Sequence, residues 1–355
     1  VSRSGRVTQG AADARRSSLE AAVSRPRIAL IADPTSSEGC REYLARAVEL
    51  LTGAPPVRVA ARHFAAGGTG RAVPAEGRLR LQVPEEGLEF VPDVVLLYEI
   101  PPHRRAGLAA FQNLLHRHHV VTLDAGPEAW RTATEKNLTV ERFQRDGVAQ
   151  METVVLSRPT PQEARAVFDK LGGDIWTRPV VGTGGDDTFH VTTADALERA
   201  ADFYARRGTD WLLSRDAGNI TAGGARHQFR VFVLHGRVIH AREHLQPAPD
   251  TPCNTCRGAT PVHLAPADLP PRLASLAVAA TASVGLPFAG VDLAPENGGV
   301  VFEVNVHPAF VDGELDKVAV PYVRAQLDAL AGSREQGGVL PRPAGEPRTT
   351  GTSTV

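Results

Sequence analysis

Two acids carry the clearest chemical signal in this sequence. Asp292 and Glu303 lie in apolar runs, Phe288-Ala-Gly-Val-Asp292 and Val300-Val-Phe-Glu-Val-Asn305, on either side of Asn297-Gly298, the commonest short hairpin dipeptide. A turn centred on that dipeptide sets Asp292 opposite Glu303, and side-chain alternation puts Asn305 on the face of Glu303. Opposed residues on paired strands have Cβ atoms about 5 Å apart, where like charges repel. A cation between them removes the conflict. Mg²⁺ (or Mn²⁺) fits, because such hard cations combine one or two carboxylates with substrate phosphates and water. The competing reading, acids facing water on a surface hairpin, sits badly with the apolar flanks.

Three further features could act with that cation. Gly182-Thr183-Gly184-Gly185 follows a strand-like run, Ile175–Val181, and its backbone N–H groups could approach phosphate oxygens closely. It lacks the Gly-Lys-Ser/Thr ending of a Walker loop, and an ordinary turn is the alternative. Arg230 alternates with apolar Phe229, Val231 and Val233. A hairpin turning at His235-Gly236 brings Arg242 opposite Phe229 and close to Arg230, a pair suited to a carboxylate or phosphate unless both arginines are merely solvated. Cys253-Asn254-Thr255-Cys256 has zinc-like spacing but no second pair, so metal or redox chemistry gains little support there.

The elements that must carry these residues alternate in type. Strands are expected at 27–33, 94–98 and 120–123, with helices through Leu44, Val48 and Leu51 and through Leu108, Phe111 and Leu115, separated by a weakly patterned Gly/Pro-rich stretch at 66–87. That alternation predicts a parallel α/β domain. Trp130 to Gly147 reads as one helix containing Lys136. A strand at 154–156 and a helix opened by Thr160-Pro161 follow, then the strand before the glycine loop, a helix at 194–207 and a strand at 211–214. A helix at 271–284 leads into the acidic hairpin. The expected boundaries are a disordered leader (1–25), an N-terminal α/β domain (26–126), a central subdomain with the glycine loop (127–213), a C-terminal subdomain with the metal site (214–331) and a disordered tail (332–355).

The totals narrow the classes. The chain of 355 residues is long enough for two or three core-bearing units, and 42% hydrophobic with 22% charged residues is a globular composition. A net charge of −1 argues against a dedicated nucleic-acid binder, no apolar run is long enough to cross a bilayer, and three cysteines suit a reducing compartment. A cytoplasmic location is expected. Lysine occurs only at positions 136, 170 and 317, so any lysine in a nucleotide site must be one of these.

In order and spacing, the segments Thr134-Glu-Lys-Asn137, Trp176-Thr-Arg-Pro-Val-Val-Gly-Thr-Gly-Gly185, Gln228-Phe-Arg-Val-Phe-Val233, Cys253-Asn-Thr-Cys-Arg-Gly258, Ala289-Gly-Val-Asp292 and Phe302-Glu-Val-Asn-Val-His-Pro308 resemble the ATP-grasp superfamily. The likeness is to its carboxylate–amine ligases, such as ribosomal-protein glutamate ligases and the amino-acid–carrier-protein ligases of lysine biosynthesis. The resemblance implies an α/β protein of ATP-grasp architecture, with an N-terminal parallel α/β domain and two α+β subdomains clasping ATP. It implies that Lys136 and Arg178 contact ATP phosphates beneath a lid formed by Gly182, Thr183, Gly184 and Gly185, and that Ser214 and Asp216 lie at the adenine-side hinge. Asp292, Glu303 and Asn305 would hold Mg²⁺. Arg230 would stabilise the transferring phosphoryl group or the acyl phosphate, with Asn254 and Arg257 lining the acceptor and acyl-phosphate pocket; Arg242 joins these catalytic candidates through its place in the hairpin beside Arg230. Arg178 stands where the family has a second lysine, and Gln228 where it has Asp. The implied partners are a small-molecule carboxylate and an amine, with an amino acid, a peptide or a carrier protein all open, no nucleic acid and no membrane; a homo-oligomer is compatible with this. A small-molecule kinase or a noncatalytic ATP-binding protein are the alternatives.

Overall fold

The apolar run Ile28–Ala32 forms a strand (β1) buried along its whole length. From it, a helix (α1, Cys40–Thr52) with Leu44, Ala47 and Val48 turned inward crosses to Val57–Ala60 (β2), which pairs parallel with one edge of β1. The computed structural model describes residues 25–75 and 77–335, so the expected leader and most of the expected tail lie outside the described residues. Arg71–Ala75 (β3), Arg78–Val83 (β4) and Leu88–Phe90 (β5) then make a separate antiparallel sheet. This corrects the expectation of an unpatterned stretch at 66–87: its glycines sit at the turns, while Leu79, Leu81 and Val83 alternate into the core. Val94–Leu97 (β6) returns to the other edge of β1. The expected strand at 120–123 makes only a single parallel bridge, Val94 to Val121, so β2 rather than this segment is the third strand of the sheet.

Two short helices (α2, Pro102–Arg105; α3, Ala109–Arg117) lead to the point where one long helix was expected. Two are found instead: α4 (Pro127–Thr134) and α5 (Lys136–Asp146), broken at Glu135, whose backbone is extended. The break places Lys136 at the first position of α5, where its N–H donates to Val180 O at 2.9 Å rather than into a helix.

The central unit is a four-stranded antiparallel sheet of order β7-β10-β8-β9, with β7 Thr153–Leu156, β8 Ile175–Pro179, β9 Phe189–Val191 and β10 Trp211–Arg215. Helices α6 (Pro161–Lys170, opened by a Thr160/Glu163 capping box) and α7 (Ala194–Arg207) cover it, burying Phe168, Tyr204 and Trp211.

The C-terminal unit is a five-stranded antiparallel sheet of order β13-β12-β11-β14-β15. Its strands are β11 Arg226–Leu234, β12 Arg237–Gln246, β13 Thr260–Leu264, β14 Phe288–Ala294 and β15 Val300–Asn305, with α8 (Pro271–Val284) packed on β11, β14 and β15. The last helix, α9 (Val320–Glu335), leaves this unit and packs on α1 and β6, so residues 332–335 belong to a helix and not to the expected tail.

His227 fastens the loop joining β14 to β15 onto this sheet. Its Nδ1 donates to Glu243 Oε1 at 2.7 Å and its Nε2 to Glu296 Oε1 at 2.9 Å. Burial alone would push the imidazole down, but the two carboxylates outweigh it and hold its pKa above the usual value. The stabilisation is therefore complete below the unfolded pKa of about 6.5 and is lost as pH rises through the folded value. The melting-temperature difference between wild type and His227→Gln is expected to be larger at pH 6 than at pH 9; an equal difference at both would refute the clamp.

Candidate functional site

The acidic hairpin pairs Asp292 with Glu303 and Gly290 with Asn305, as its sequence predicts, but by a different route. The turn is not a two-residue Asn297-Gly298 turn. It is a five-residue loop containing a short 3₁₀ turn, and an extra residue in β15, Phe302, restores the register beside Asp292. The carbonyl of this bulged residue accepts from Arg178 Nη2 at 2.9 Å. The other hairpin also bulges, at Ile239, which moves Arg242 from opposite Phe229 to opposite Arg230.

Arg230 does not share an anion with Arg242. It forks onto Asp292 across the β11–β14 pairing, through Nε to Oδ1 and through Nη2 to Oδ2 at 2.7 Å, with both residues buried. Burial would lower the Arg230 pKa, but the Asp292 charge raises it. Gly290 beside it leaves no room for a side chain, since a Cβ there would stand 2.4 Å from Pro308 Cβ and 3.0 Å from Arg230 Cδ. Arg242 has its own acid, Glu314, at 2.5 Å, donates also to His244 Nε2 and to Ala309 O, and does not line the cleft described below. His244, pressed by burial and then by Arg230 and Arg242, is pushed down to about 3 and stays a neutral acceptor.

A cleft opens between the central and C-terminal sheets. Of the expected site residues, Lys136, Arg178, Gly182, Thr183, Gly185, Ser214, Asn254, Asp292 and Glu303 line it. Lys136 Nζ lies 3.1 Å from Glu303 Oε1 and 3.1 Å from Gly182 O. Burial, and then Arg178 and Arg105, push its ammonium down against the opposing pull of Glu303. Asn305 Nδ2 donates to Asp292 Oδ2 at 3.2 Å. At the far end, Met151, Ala217, Val301 and Phe302 give an apolar floor. Ser214 Oγ is bonded to Thr153 Oγ1 at 2.9 Å, whereas Asp216 turns away from the cleft to hold Trp176 Nε1 (2.6 Å), Gly218 N (2.6 Å) and Arg226 (2.8 Å).

The glycine loop rests against the 252–257 segment. Gly184 O accepts from Cys256 Sγ at 3.3 Å and Arg257 Nε at 3.4 Å, and Arg257 also pairs with Asp186. Gly184 and Gly185 both have positive φ, and a Cβ at Gly185 would sit 2.8 Å from Pro252 Cβ, so glycine is required at this contact. Cys253 is buried, its thiol pushed up to about 12, and it donates to the Arg226 and His244 carbonyls.

Sequence reading missed Trp176, Arg226 and Asn219 in the cleft wall, and Arg105 from the N-terminal unit. Trp176 is clamped between His190, stacked at 4.8 Å, and the Arg226 guanidinium, 4.9 Å from its ring. The alternation of Arg226 with Gln228 and Arg230 along one strand was the available signal for Arg226.

These features define a class: a parallel α/β unit beside two sheet-and-helix units that close on a cleft holding opposed acids, clustered cations and a glycine loop. No family model and no curated protein matches the sequence. Among solved structures, the chain is similar to the ATP-grasp ligase PsnB in complex with a minimal precursor, at 16% identity and TM-score 0.61, covering 85% of this chain and 98% of that one. It is similar to D-alanine–D-alanine ligase from Bacillus anthracis at 14% identity and TM-score 0.61, covering 88% and 100%. D-cycloserine synthetase DcsG aligns at 17% identity and TM-score 0.60, covering 86% and 99%. The chain has the ATP-grasp fold, as its motifs suggested. Among the described residues, no helix is long and apolar enough to cross a membrane.

The oxygens at the opposed acids suit a hard cation. Glu303 has one carboxylate oxygen without a protein partner among the described residues, and Asp292 and the Asn305 amide lie beside it. Asp292→Ala strands the buried Arg230 guanidinium and is expected to cost about 3–5 kcal/mol of unfolding free energy in urea denaturation. Glu303→Ala is expected to cost less, because Glu303 is itself partly exposed and Lys136, though buried, keeps Gly182 O as an acceptor.

Proposed function

We propose that this protein is an ATP-dependent carboxylate–amine ligase that forms an amide bond through an acyl phosphate. One observation carries the reading: Asp292 and Glu303 are opposed in register with Asn305 beside them, Lys136 and Arg178 line the same cleft, and Arg230 forks onto Asp292 behind them. The PsnB and D-alanine–D-alanine ligase structures include complexes with ADP and Mg, or with ATP, which supports ATP and Mg²⁺ as the groups for this cleft.

In this reading residues 26–126, 127–213 and 214–331 are the working units. The apolar end near Met151 and Phe302 takes the base, with Ser214 at the hinge. Lys136 and Arg178 take the phosphates under Gly182–Gly185. Asp292, Glu303 and Asn305 would hold Mg²⁺ or Mn²⁺, which neutralises phosphate charge when bound. A donor carboxylate oxygen attacks the γ-phosphorus and ADP leaves. The amine nitrogen then attacks the acyl carbon, and phosphate departs. Arg230, fixed by Asp292, faces the charge that develops. The contact of Gly184 and Asp186 with Cys256 and Arg257 keeps water from the acyl phosphate and brings Asn254 to the same side. Arg242 acts indirectly, by holding the strand next to Arg230. The substrates are small carboxylates and amines, with an amino acid or peptide on either side.

The test is ADP release with ATP, Mg²⁺ and a panel of acids and amines. Turnover is expected only when both an acid and an amine are present, and chelation by EDTA is expected to abolish it. Glu303→Ala is expected to lower kcat/KM by at least about 10²-fold, by removing a charge contact to the transferring group. ADP formation with a single substrate and a stable phosphorylated product would replace the ligase by a kinase. ATP binding without any turnover would leave a noncatalytic protein.

A further inference from the structure

The face of β12 that carries Arg242 also carries a convergence of donor atoms that takes no part in lining the cleft. His240 and Arg242 alternate onto one side of β12, and His263, directly opposite Arg242 on β13, points the same way. Glu314 reaches them from the segment between β15 and α9. His240 Nε2 lies 3.1 Å from His263 Nδ1 and 3.3 Å from Glu314 Oε1, and the three atoms all fall within 4.8 Å of one another.

Protons are short in this group. His263 Nε2 donates to Asp312 O at 2.9 Å, and a carbonyl can only accept, so the neutral ring presents a lone pair at Nδ1. Glu314 Oε1 presents another beside the one that Arg242 fills. A single proton on His240 Nε2 must then serve two acceptors. A cation among the three atoms satisfies them all at once.

The spacing and the donor types name the cation. Metal–ligand bonds of about 2.0–2.2 Å in a tetrahedral site set neighbouring donors about 3.3 Å apart. The two contacts of His240 Nε2, at 3.1 and 3.3 Å, match that edge. Two imidazoles and one carboxylate suit Zn²⁺ and its neighbours Co²⁺ and Ni²⁺, whereas Mg²⁺ and Ca²⁺ take oxygen. The charge of Arg242 opposes an ion here, which leaves imidazole affinity rather than net charge as the attraction.

The ligands are also held from behind, as metal ligands need to be. Asp312 O fixes the His263 ring, Arg242 Nη1 and Val311 N hold the two Glu314 oxygens, and Phe232 lies against His240. His240 and Glu314 are buried, and His263 is the member that solvent reaches. The site also joins separate parts of the fold. β13 is the edge of the five-stranded sheet, and Glu314 stands just before the turn into α9, which packs on α1 and β6.

We propose that His240, His263 and Glu314 form a Zn²⁺ site distinct from the acids of the cleft, with water as the fourth ligand on the solvent side of His263. The ion fastens the edge strand β13 to the segment that carries the chain back to the N-terminal unit.

Protein stripped with a chelator and dialysed is titrated with Zn²⁺, and separately with Co²⁺, in excess Mg²⁺, which fills carboxylate sites without displacing a metal held by imidazole. Wild type is expected to hold one Zn²⁺ per chain, to show the strong visible absorption of four-coordinate Co²⁺, and to melt at a higher temperature with Zn²⁺ than without. His263→Ala changes a side chain that solvent reaches, so the variant is expected to fold. It is expected to weaken binding by more than the roughly 10- to 100-fold that loss of an outer partner costs, and to lose the colour and the thermal shift together. Cys256→Ser removes the exposed thiol and is expected to keep all three signals. Wild type that binds Zn²⁺ no tighter than His263→Ala overturns the proposal, and so does a signal that vanishes with Cys256→Ser. These readouts do not involve ADP release, so their failure leaves the ligase reading standing.

Discussion

The fork of Arg230 onto Asp292 organises the site. It is a bidentate pair with both partners buried, lying across the central pairing of the C-terminal sheet. Charges so far from water are tolerable only because each satisfies the other, and removal of either leaves an uncompensated ion. Gly290 lets Pro308 and the arginine side chain pack close to β14, and β15 brings Glu303 and Asn305 alongside. The pair fixes the guanidinium in one plane and the carboxylate in one orientation before any ligand arrives, which is the preorganisation that charge-stabilising catalysis requires.

Around that pair the site is assembled from three units by backbone irregularities as much as by side chains. The break at Glu135 brings Lys136 to the cleft. The Phe302 bulge frees a carbonyl for Arg178. Positive-φ glycines let the Gly182–Gly185 loop meet the 252–257 segment. Each departs from regular structure at a place where a charged group must point into the cleft, and the surrounding apolar strands carry the strain.

Much of this was legible in the sequence, for physical reasons. Alternation along β14 and β15 is strict enough to place Asp292 and Glu303 face to face. The Phe302 bulge and the longer loop offset one another, so the register came out right from a wrong turn. The Ile239 bulge has no such counterpart, and Arg242 came out one position off. Bulges follow from sheet twist and neighbouring strands, and nothing local at Ile239 announces one. The β3–β4–β5 sheet was hidden by glycines that belong to its turns. Val57–Ala60 was too short and too interrupted by Arg58 to stand out. Arg105 could not be found at all, because its meaning depends on the fold bringing it to Thr134, beside the Lys136 segment. Asp216 was visible as an acid in the right stretch, but Trp176 and Arg226, which claim it, come from two other strands.

The return of α9 to the first sheet has a consequence for how the chain acquires its structure. Tyr98 donates to Pro308 O, Phe310 N donates to Cys40 Sγ, and Tyr322 packs edge-on to Tyr98, contacts that span 210, 270 and over 200 positions of sequence. The core around β1, α1 and β6 therefore closes only once the chain has been made through Tyr322. Until then its inner surface, including Leu44, Leu96 and Tyr98, waits uncovered. Of the described units, the α/β unit is made first and is among the last to be finished, and the residues that finish it follow directly from the strand carrying Glu303 and Asn305. Closure of that core and assembly of the acidic end of the cleft are thus linked through one stretch of chain.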